Sequence, residues 1–332
     1  MLLGYKAAAE QFGPRELLDL AIAAEHAGFD SVLISDHAQP WRHTGGHAPH
    51  ALAWLAAVAQ RTERVLLGTS VLAPTFRHHP AVLAQAAATM EILAPRRLLL
   101  GLGTGESMNE VPVLGIEWPA FPERLDRLAE AVKLMRRLWT EERVTFDGTY
   151  FRTDALTVYD RPDRPVPIWL AASGPQAARL AGRVADGYIS TSSHAHDRLR
   201  DTLLVAVDEG AREAGRSPND LGRLIEIKLA WADARATAID ATRFWAALAL
   251  PTEAKHGISD PREMERRAGA VLDQSERAWL VTTDPDEIVA RVAEYVVLGY
   301  RHLVFHSPLP DQLWFIDSFG RRVMPLLRER FG

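Results

Sequence analysis

Short apolar runs recur eight times along the chain, and most of them are separated by segments with helical periodicity. The runs are residues 2–5, 31–35, 65–70, 97–101, 167–172, 187–190, 224–229 and 302–306. Strands that are apolar on both faces and alternate with amphipathic helices indicate a buried parallel sheet. Eight of them, without a second block of different composition, favour an α/β fold of the (β/α)8 TIM barrel type over a doubly wound sheet. We therefore predict a single domain, residues 1–332.

The helices and two insertions follow from local patterns. Residues 16–26 and 124–139 keep their apolar side chains on one stripe. Asp284 followed by Pro285 predicts a helix start near the end of the chain. An insertion near 140–165 contains a predicted hairpin, residues 144–151, with a type I′ turn at Asp147-Gly148. A second insertion, 232–277, is charged and helical, and we predict that it caps the C-terminal mouth of the barrel.

Composition excludes several classes of function. The chain has no cysteine, which excludes disulfides, thiolate metal sites and cysteine nucleophiles. Its net charge of −5 predicts no bulk attraction to nucleic acid or to an anionic membrane. The sequence reaches Lys6 too early for a signal peptide and has no apolar run of about 18 residues. We expect a soluble, cytoplasmic protein without nucleic-acid or membrane partners.

Polar side chains are concentrated where the predicted strands end. Barrel enzymes build their sites at the C-terminal ends of the strands, so this distribution predicts an enzyme. The residues are Lys6 and Glu10, then Asp36, His37 and Trp41, then Thr69 and Ser70, then Thr104, Glu106 and Asn109, then Thr191 and His194, then Lys228 and His306.

Several of these motifs have two readings. The segment 103–106 is either a tight turn or a cofactor loop, and the alternation of Gly101, Gly103 and Gly105 disfavours dinucleotide binding. Gly174-Pro175 opens a helix whose N–H groups suit a phosphate, although Gly-Pro is also a common helix start. The three histidines of loop 33–49 lack the carboxylate spacing of a metal site, so no metal is predicted. Lys228, inside an apolar strand, needs a partner: Glu226, Glu10 or a ligand phosphate, with a structural ion pair favoured.

Taken together, "SDHAQPWRHTGGHAP", "GLGTGESMNE", "ADGYISTS", "AKHGISDP" and "HLVFHSP" resemble the deazaflavin-dependent glucose-6-phosphate dehydrogenases. These are coenzyme F420 enzymes of the luciferase-like superfamily, and the similarity runs along nearly the whole chain. The resemblance implies a homodimeric barrel with an 8-hydroxy-5-deazaflavin in its mouth. It also implies hydride transfer from C1 of a sugar phosphate to C5 of the deazaflavin.

The resemblance also implies roles for individual residues. Ser70–Val71 matches a non-prolyl cis peptide behind the cofactor ring. The proton-handling residues would be His37 and Glu106, with Trp41 and Glu10 at the reacting end of the sugar. His37 is expected to titrate near neutrality as the base, with Asp36 available to fix its tautomer. The positions that match cofactor contacts are Asp36, Ser70, Val71, Ala73, Thr104, Gly105, Asn109, Ser173, Gly174, Gln176 and Ala177.

The chain departs from the family in its phosphate pocket, which holds a threonine, two lysines and an arginine. Thr191 and Lys255 are present, but the second lysine position is His194. The arginine position falls on Ala278, with Arg277 one residue before it. Cofactor dependence is expected to survive these changes, whereas strict selectivity for glucose 6-phosphate is not. Another sugar phosphate and an unphosphorylated sugar stay open, as do a flavin mononucleotide monooxygenase and a non-catalytic binding protein.

Overall fold

The computed structural model describes residues 1–255 and 257–332, so His256 lies outside the described residues. The strands are β1 (Leu2–Ala7), β2 (Ser31–Ile34), β3 (Leu66–Thr69), β4 (Leu98–Leu102), β5 (Val144–Asp147), β6 (Arg152–Leu156), β7 (Ile168–Ala171), β8 (Gly187–Thr191), β9 (Gly222–Trp231), β10 (Leu280–Thr282) and β11 (His302–His306). Eight of them form a parallel sheet in the order β9-β11-β1-β2-β3-β4-β7-β8, and pairing of β8 with β9 closes it. The predicted (β/α)8 barrel is confirmed.

Helices lie between the barrel strands and over the mouth. They are α1 (Pro14–His26), α2 (Ala51–Ala59), α3 (Pro80–Leu93), α4 (Ser107–Leu114), α5 (Phe121–Thr140), α6 (Pro175–Val184), α7 (His196–Arg198), α8 (Leu204–Glu213), α9 (Arg235–Ala241), α10 (Thr252–Lys255), α11 (Pro261–Ala268), α12 (Pro285–Val297), α13 (Gln312–Arg322) and α14 (Met324–Phe331). The predicted start of α12 is confirmed, because the Asp284 side chain accepts a hydrogen bond from the N–H of Asp286.

One parallel strand escaped sequence analysis. Strand β10 has only three residues and pairs with the last three residues of β9, so β9 runs beyond the predicted segment 224–229. A run of three residues carries too little periodicity to be recognised as a strand.

A hairpin begins at Val144 as predicted, but its turn and its second strand differ from the prediction, because β6 lies beyond residue 151. Strands β5 and β6 pair with Asp147 opposite Arg152, so the loop has four residues, 148–151, rather than two. Gly148 also lacks the positive φ that a type I′ turn requires. Instead, the Glu130 carboxylate on α5 accepts hydrogen bonds from the backbone N–H groups of residues 149–151. This contact with a distant helix selects the longer loop.

Two packed regions position the mouth of the barrel. Inside the barrel, one layer of apolar side chains fills the centre: Leu33, Leu99, Ile189, Leu224 and Val304. Above it, the second insertion packs Ala246, Leu250 and Ile258 against Met108 of α4 and against Trp41. The insertion therefore covers part of the mouth, as expected. Among the described residues, the structure contains no helix with the length and apolarity needed to cross a membrane.

Candidate active site

A cavity of about 480 Å³ opens at the C-terminal ends of the barrel strands. It brings together residues that are remote in sequence, because the ends of all eight strands meet there. The predicted residues that line it are Glu10, Asp36, His37, Trp41, Ser70, Val71, Ala73, Thr104, Gly105, Glu106, Asn109, Ser173, Gly174, Ala177 and Thr191. Gln176, His194, Lys255, Arg277 and Ala278 are not among its lining residues.

His37 is held by Glu10 at one side of the cavity. Its Nδ1 lies 2.6 Å from Glu10 Oε1, and Glu10 Oε2 accepts a hydrogen bond of 2.7 Å from the N–H of Trp41. Burial lowers the pKa of His37, but Glu10 outweighs burial and, with Glu106, raises that pKa to about 9. The expectation that His37 titrates near neutrality is therefore wrong, and the imidazole holds its proton at pH 7.

Glu106 faces the same cavity from the start of α4. Its Oε2 accepts hydrogen bonds from Trp41 Nε1 at 3.2 Å and from Asn109 Nδ2 at 3.3 Å. The ammonium of Lys255 lies 5.3 Å from the centre of the Trp41 ring. The Trp41 side chain thus lies between the carboxylate of Glu106 and the ammonium of Lys255.

Asp36 makes its contacts away from His37. Both Arg77 and His78 contact its Oδ2, and the N–H of Ala51 donates to Oδ1 at 3.2 Å. Burial works to raise the pKa of Asp36, but His78 and Arg77 outweigh it and hold the pKa well below its usual range. Successive residues of an extended segment point to opposite sides, so Glu10, and not Asp36, is the carboxylate that contacts the His37 ring. Sequence analysis missed Arg77 and His78.

One wall of the cavity, called the flat wall below, contains the Ser70–Val71 peptide, Gly103 and Gly105. The Ser70–Val71 peptide is cis, as the resemblance implies, and Lys6 Nζ donates to the Ser70 carbonyl at 2.6 Å. A Cβ on Gly103 would lie 2.9 Å from Val71 Cγ2, and Gly105 has a φ of +81°. A Cβ at Gly103 would press against the Val71 side chain, and glycine adopts the left-handed conformation at Gly105 without strain. The wall fits a planar ring.

The start of α6 opens into the cavity beside this wall. Gly174 caps the helix, and a Cβ built on it would meet nothing within 4 Å. The first N–H groups of a helix lack intrahelical partners and attract anions. Arg198 lies next to them, donating to the Ser173 carbonyl at 2.7 Å. This corner fits a phosphate-bearing chain attached to the planar ring.

Four ionisable side chains from three adjacent strands form a buried cluster at the floor. Lys6 Nζ lies 3.2 Å from Glu226 Oε2, while Lys228 Nζ lies 3.7 Å and His306 Nδ1 3.5 Å from Glu226 Oε1. Burial works to raise the pKa of Glu226, but the lysines and His306 hold it well below its usual range. Burial lowers the pKa values of Lys228 and His306.

The residues predicted to bind the substrate phosphate do not line a single cavity. Thr191 lines the main cavity, whereas Arg277 and Ala278 line a neighbouring cavity of about 390 Å³. Burial lowers the pKa of Lys255 despite the attraction of Glu106. Burial, together with Arg198 and Lys228, lowers the pKa of His194.

The remaining histidines of loop 33–49 have local contacts. The N–H of Gly46 donates to the carbonyl of His43, and the N–H of His47 donates to the carbonyl of Glu10. Within residues 1–255 and 257–332, no group of three or more His, Asp or Glu side chains is arranged to hold a metal ion.

Known sequences resemble the chain over almost its full length. A profile described as luciferase-like monooxygenase matches residues 3–302. The F420-dependent glucose-6-phosphate dehydrogenase of Nakamurella multipartita is 56% identical over 330 residues, covering 99% of this chain and 97% of that protein. The protein of the same name from Intrasporangium calvum is 55% identical over 329 residues, covering 98% of each.

Solved structures resemble the chain equally completely. An F420-dependent secondary alcohol dehydrogenase, solved with an F420-acetone adduct, superposes with a TM-score of 0.93 at 36% identity, covering 98% of this chain and 99% of that one. The F420-dependent tetrahydromethanopterin reductase of Methanopyrus kandleri has a TM-score of 0.79 at 22% identity, with the same coverage, which shows a shared fold alone.

Proposed function

The chain belongs to the luciferase-like monooxygenase family and, within it, to the F420-dependent glucose-6-phosphate dehydrogenases; from this we propose that it oxidises glucose 6-phosphate at C1. The product is the corresponding lactone, and coenzyme F420 is the hydride acceptor. For the site, the proposal rests on one observation. His37 and Glu106 face the same cavity beside the flat wall.

The residues of the cavity fit the deazaflavin cofactor. When bound, it supplies a ring carbon, C5, that accepts a hydride. We propose that the ring lies on the flat wall, where Ser70 and Val71 contact it together with Thr104. Gly174 and Ala177 then hold its phosphate-bearing tail at the start of α6. The remaining predicted contacts are Asp36, Ala73, Gly105, Asn109, Ser173 and Gln176.

Proton handling is proposed to be divided between two groups. Loss of hydride from the sugar requires the C1 hydroxyl to lose its proton, or a high-energy cation forms. Glu106, oriented by Trp41 and Asn109, is positioned to accept that proton. His37 holds a proton at Nε2 and donates a hydrogen bond into the site, with Glu10 fixing its ring. The Trp41 ring face stabilises positive charge developing at C1.

The direct test is loss of the absorbance of oxidised coenzyme F420 when glucose 6-phosphate is added to the purified protein. The same assay should include other aldose 6-phosphates, glucose and a secondary alcohol. If other aldose 6-phosphates reduce coenzyme F420 and glucose 6-phosphate does not, those compounds replace glucose 6-phosphate as the proposed substrate. If free glucose alone reduces it, glucose does so. Co-purified flavin mononucleotide with oxygen uptake, or tight F420 binding without turnover on any compound, would refute the dehydrogenase assignment.

A side chain at Gly174 should block the cofactor. We expect Gly174→Leu to weaken coenzyme F420 binding at least ~10-fold, because its side chain would fill the space in front of the helix start. The fold should be unchanged, since a Cβ there meets no neighbour within 4 Å. Titration followed by F420 fluorescence measures the affinity. Gly269→Leu is the matched control, as Gly269 also has open space around it and lies outside the cavity lining. Equal affinity of the two variants would place the tail elsewhere.

We further propose that the chain acts as one domain and assembles as a homodimer. Val82 and Leu93 on α3 are 64% and 52% exposed and lie eleven residues apart, about three helical turns. They share one face, which would be covered by a second copy. Light scattering should give the mass of two chains for the wild type and of one chain for Leu93→Glu. An unchanged mass in the variant would exclude this face.

A further inference from the structure

Lys6 is a buried cation that contacts the flat wall and takes no part in the proposed transfer of hydride and proton. The residue is 3% exposed and lines the main cavity from strand β1. Its Nζ lies 2.6 Å from the Ser70 carbonyl oxygen, 2.5 Å from Ser70 Oγ and 3.2 Å from Glu226 Oε2. An ammonium has three N–H donors and no acceptor, so these three oxygens engage all of its protons. Lys6 is therefore held as a donor to the wall.

The contact with Lys6 orients the Ser70 hydroxyl. Because Lys6 can only donate, Ser70 Oγ accepts, and the hydroxyl keeps its own proton for another partner. Among the described residues, no protein group accepts that proton. Ser70 lines the cavity at the proposed position of the ring. The proton is thus available to an acceptor atom of a bound ring, and the charge of Lys6 strengthens such a hydrogen bond.

The positive charge of Lys6 is only partly compensated. Within the described part of the chain, Glu226 is the one carboxylate within 4 Å of its Nζ, and Lys228 Nζ lies 3.7 Å from the same side chain. Burial outweighs Glu226 and lowers the pKa of His306, so its imidazole is neutral at pH 7. Two lysines therefore share one carboxylate. The cluster carries more positive than negative charge beside the flat wall, where burial weakens screening by solvent.

Positive charge at this wall favours the reduction of a ring that lies on it. Transfer of a hydride from C1 of the sugar to C5 of the ring breaks one C–H bond and forms another. The sugar loses two electrons, the ring gains them, and the proton of the C1 hydroxyl passes to Glu106. The ring then carries one more negative charge than before. A fixed positive charge beside the ring stabilises this reduced form more than the oxidised form.

We propose that Lys6, acting through the Ser70 hydroxyl, is a positioning residue that makes bound coenzyme F420 easier to reduce. The inference rests on the proposed function, in which the ring lies on the flat wall. It also accounts for the buried cluster at the floor of the cavity. Glu226 holds the Lys6 ammonium against Ser70 without neutralising the charge of both lysines.

The test compares the affinities of the substrate-free protein for oxidised and for reduced coenzyme F420. Anaerobic calorimetric titration in mildly alkaline buffer gives the two dissociation constants, and their ratio sets the shift in reduction potential on binding. We expect Lys6→Met to weaken binding of the reduced form at least ~10-fold more than binding of the oxidised form. For a two-electron couple, this factor lowers the potential of the bound cofactor by ~30 mV. Lys133→Met removes an exposed ammonium on α5, outside the cavity lining, and should leave the ratio unchanged.

The variant Ser70→Ala tests whether the effect passes through the hydroxyl. We expect it to shift the ratio in the same direction by at least ~3-fold. Lys6→Met should then have a smaller effect in Ser70→Ala than in the wild type, because the two residues act through one hydrogen bond. Ser70→Ala keeps the backbone carbonyl as an acceptor for Lys6 and leaves every charge in place. It therefore remains informative if Lys6→Met does not fold.

Three results would overturn the inference. Equal weakening of both forms in Lys6→Met would make Lys6 a structural support of the flat wall. An unchanged ratio in Lys6→Met and Ser70→Ala would separate the charge from the reduction of the cofactor. A ratio shifted towards the reduced form in Lys6→Met would give the floor a net negative influence. Because the titrations contain no sugar, this inference can fail while the wild type oxidises glucose 6-phosphate. The proposed function, in turn, can fail while the ratio shifts as expected.

Discussion

Replacing His37 with alanine is expected to lower kcat by ~10²- to 10⁴-fold, the usual contribution of a positioned proton-handling group. The imidazole is fixed by Glu10 at 2.6 Å, so its loss removes an oriented donor from the reacting end of the site. Coenzyme F420 should still bind with nearly wild-type affinity, because the flat wall and the start of α6 are untouched. Single-turnover absorbance and fluorescence titration measure the two effects separately. A kcat within tenfold of the wild type would remove His37 from the mechanism.

The pH profile assigns the direction of the proton. The pKa of His37 is raised to about 9, so the imidazole is charged below that pH and neutral above it. If the charged form is active, kcat is constant near neutrality and falls as the pH rises through about 9. A rate that increases tenfold per pH unit up to that point would instead identify His37 as the base.

The variant Glu10→Gln tests whether Glu10 raises the pKa of His37. Without the carboxylate, burial remains as the main influence and lowers the pKa of His37, so the falling limb of the profile should move to lower pH. Glu209→Gln, at a half-buried glutamate that is paired with Arg179 and lies outside the cavity lining, should leave the profile unchanged. An unshifted profile in Glu10→Gln would refute the coupling of Glu10 to His37.

Replacing Glu226 with glutamine should destabilise the cofactor-free protein by ~3–5 kcal/mol, the cost of removing one partner from a buried ion pair. The change preserves the shape of the side chain but leaves Lys6 and Lys228 without a counter-charge beneath the mouth of the barrel. Urea unfolding followed by circular dichroism measures the loss as a lower midpoint at an unchanged slope.

The control is the double variant Glu226→Gln with Lys228→Met. It leaves one uncompensated ammonium, as in the wild type, and should recover much of the lost stability. The double-mutant cycle then gives a favourable coupling between the two positions. Additive effects of the two substitutions, or a loss of stability below ~1 kcal/mol for Glu226→Gln alone, would contradict the buried ion pairing of Glu226 with the two lysines.

Prediction from sequence succeeded where the signal is local. The barrel follows from the alternation of two periodicities, and the helix start at Asp284 follows from a four-residue pattern. It failed where a distant group decides the local structure. Glu130 on α5 organises the hairpin loop, and β10 exists only because the last residues of β9 are available for pairing.

The candidate site was also predicted only in part from the sequence. The motifs after each strand place Glu10, His37, Trp41 and Glu106 at one mouth, since parallel strands of a barrel end on the same side. They say nothing about which groups touch. Asp36 is adjacent to His37 in sequence, yet Glu10 is the residue that binds its ring.

The sequence alone determined the architecture, the family and the side of the barrel on which chemistry occurs, because these depend on periodicity and on short motifs. Only the tertiary structure decided the charge state of His37, the excess charge around Glu226 and the separation of Arg277 from Thr191. Electrostatic interactions depend on burial and on distances of a few ångströms between residues remote in the chain. Those distances are fixed only when the barrel closes and brings β1, β9 and β11 side by side.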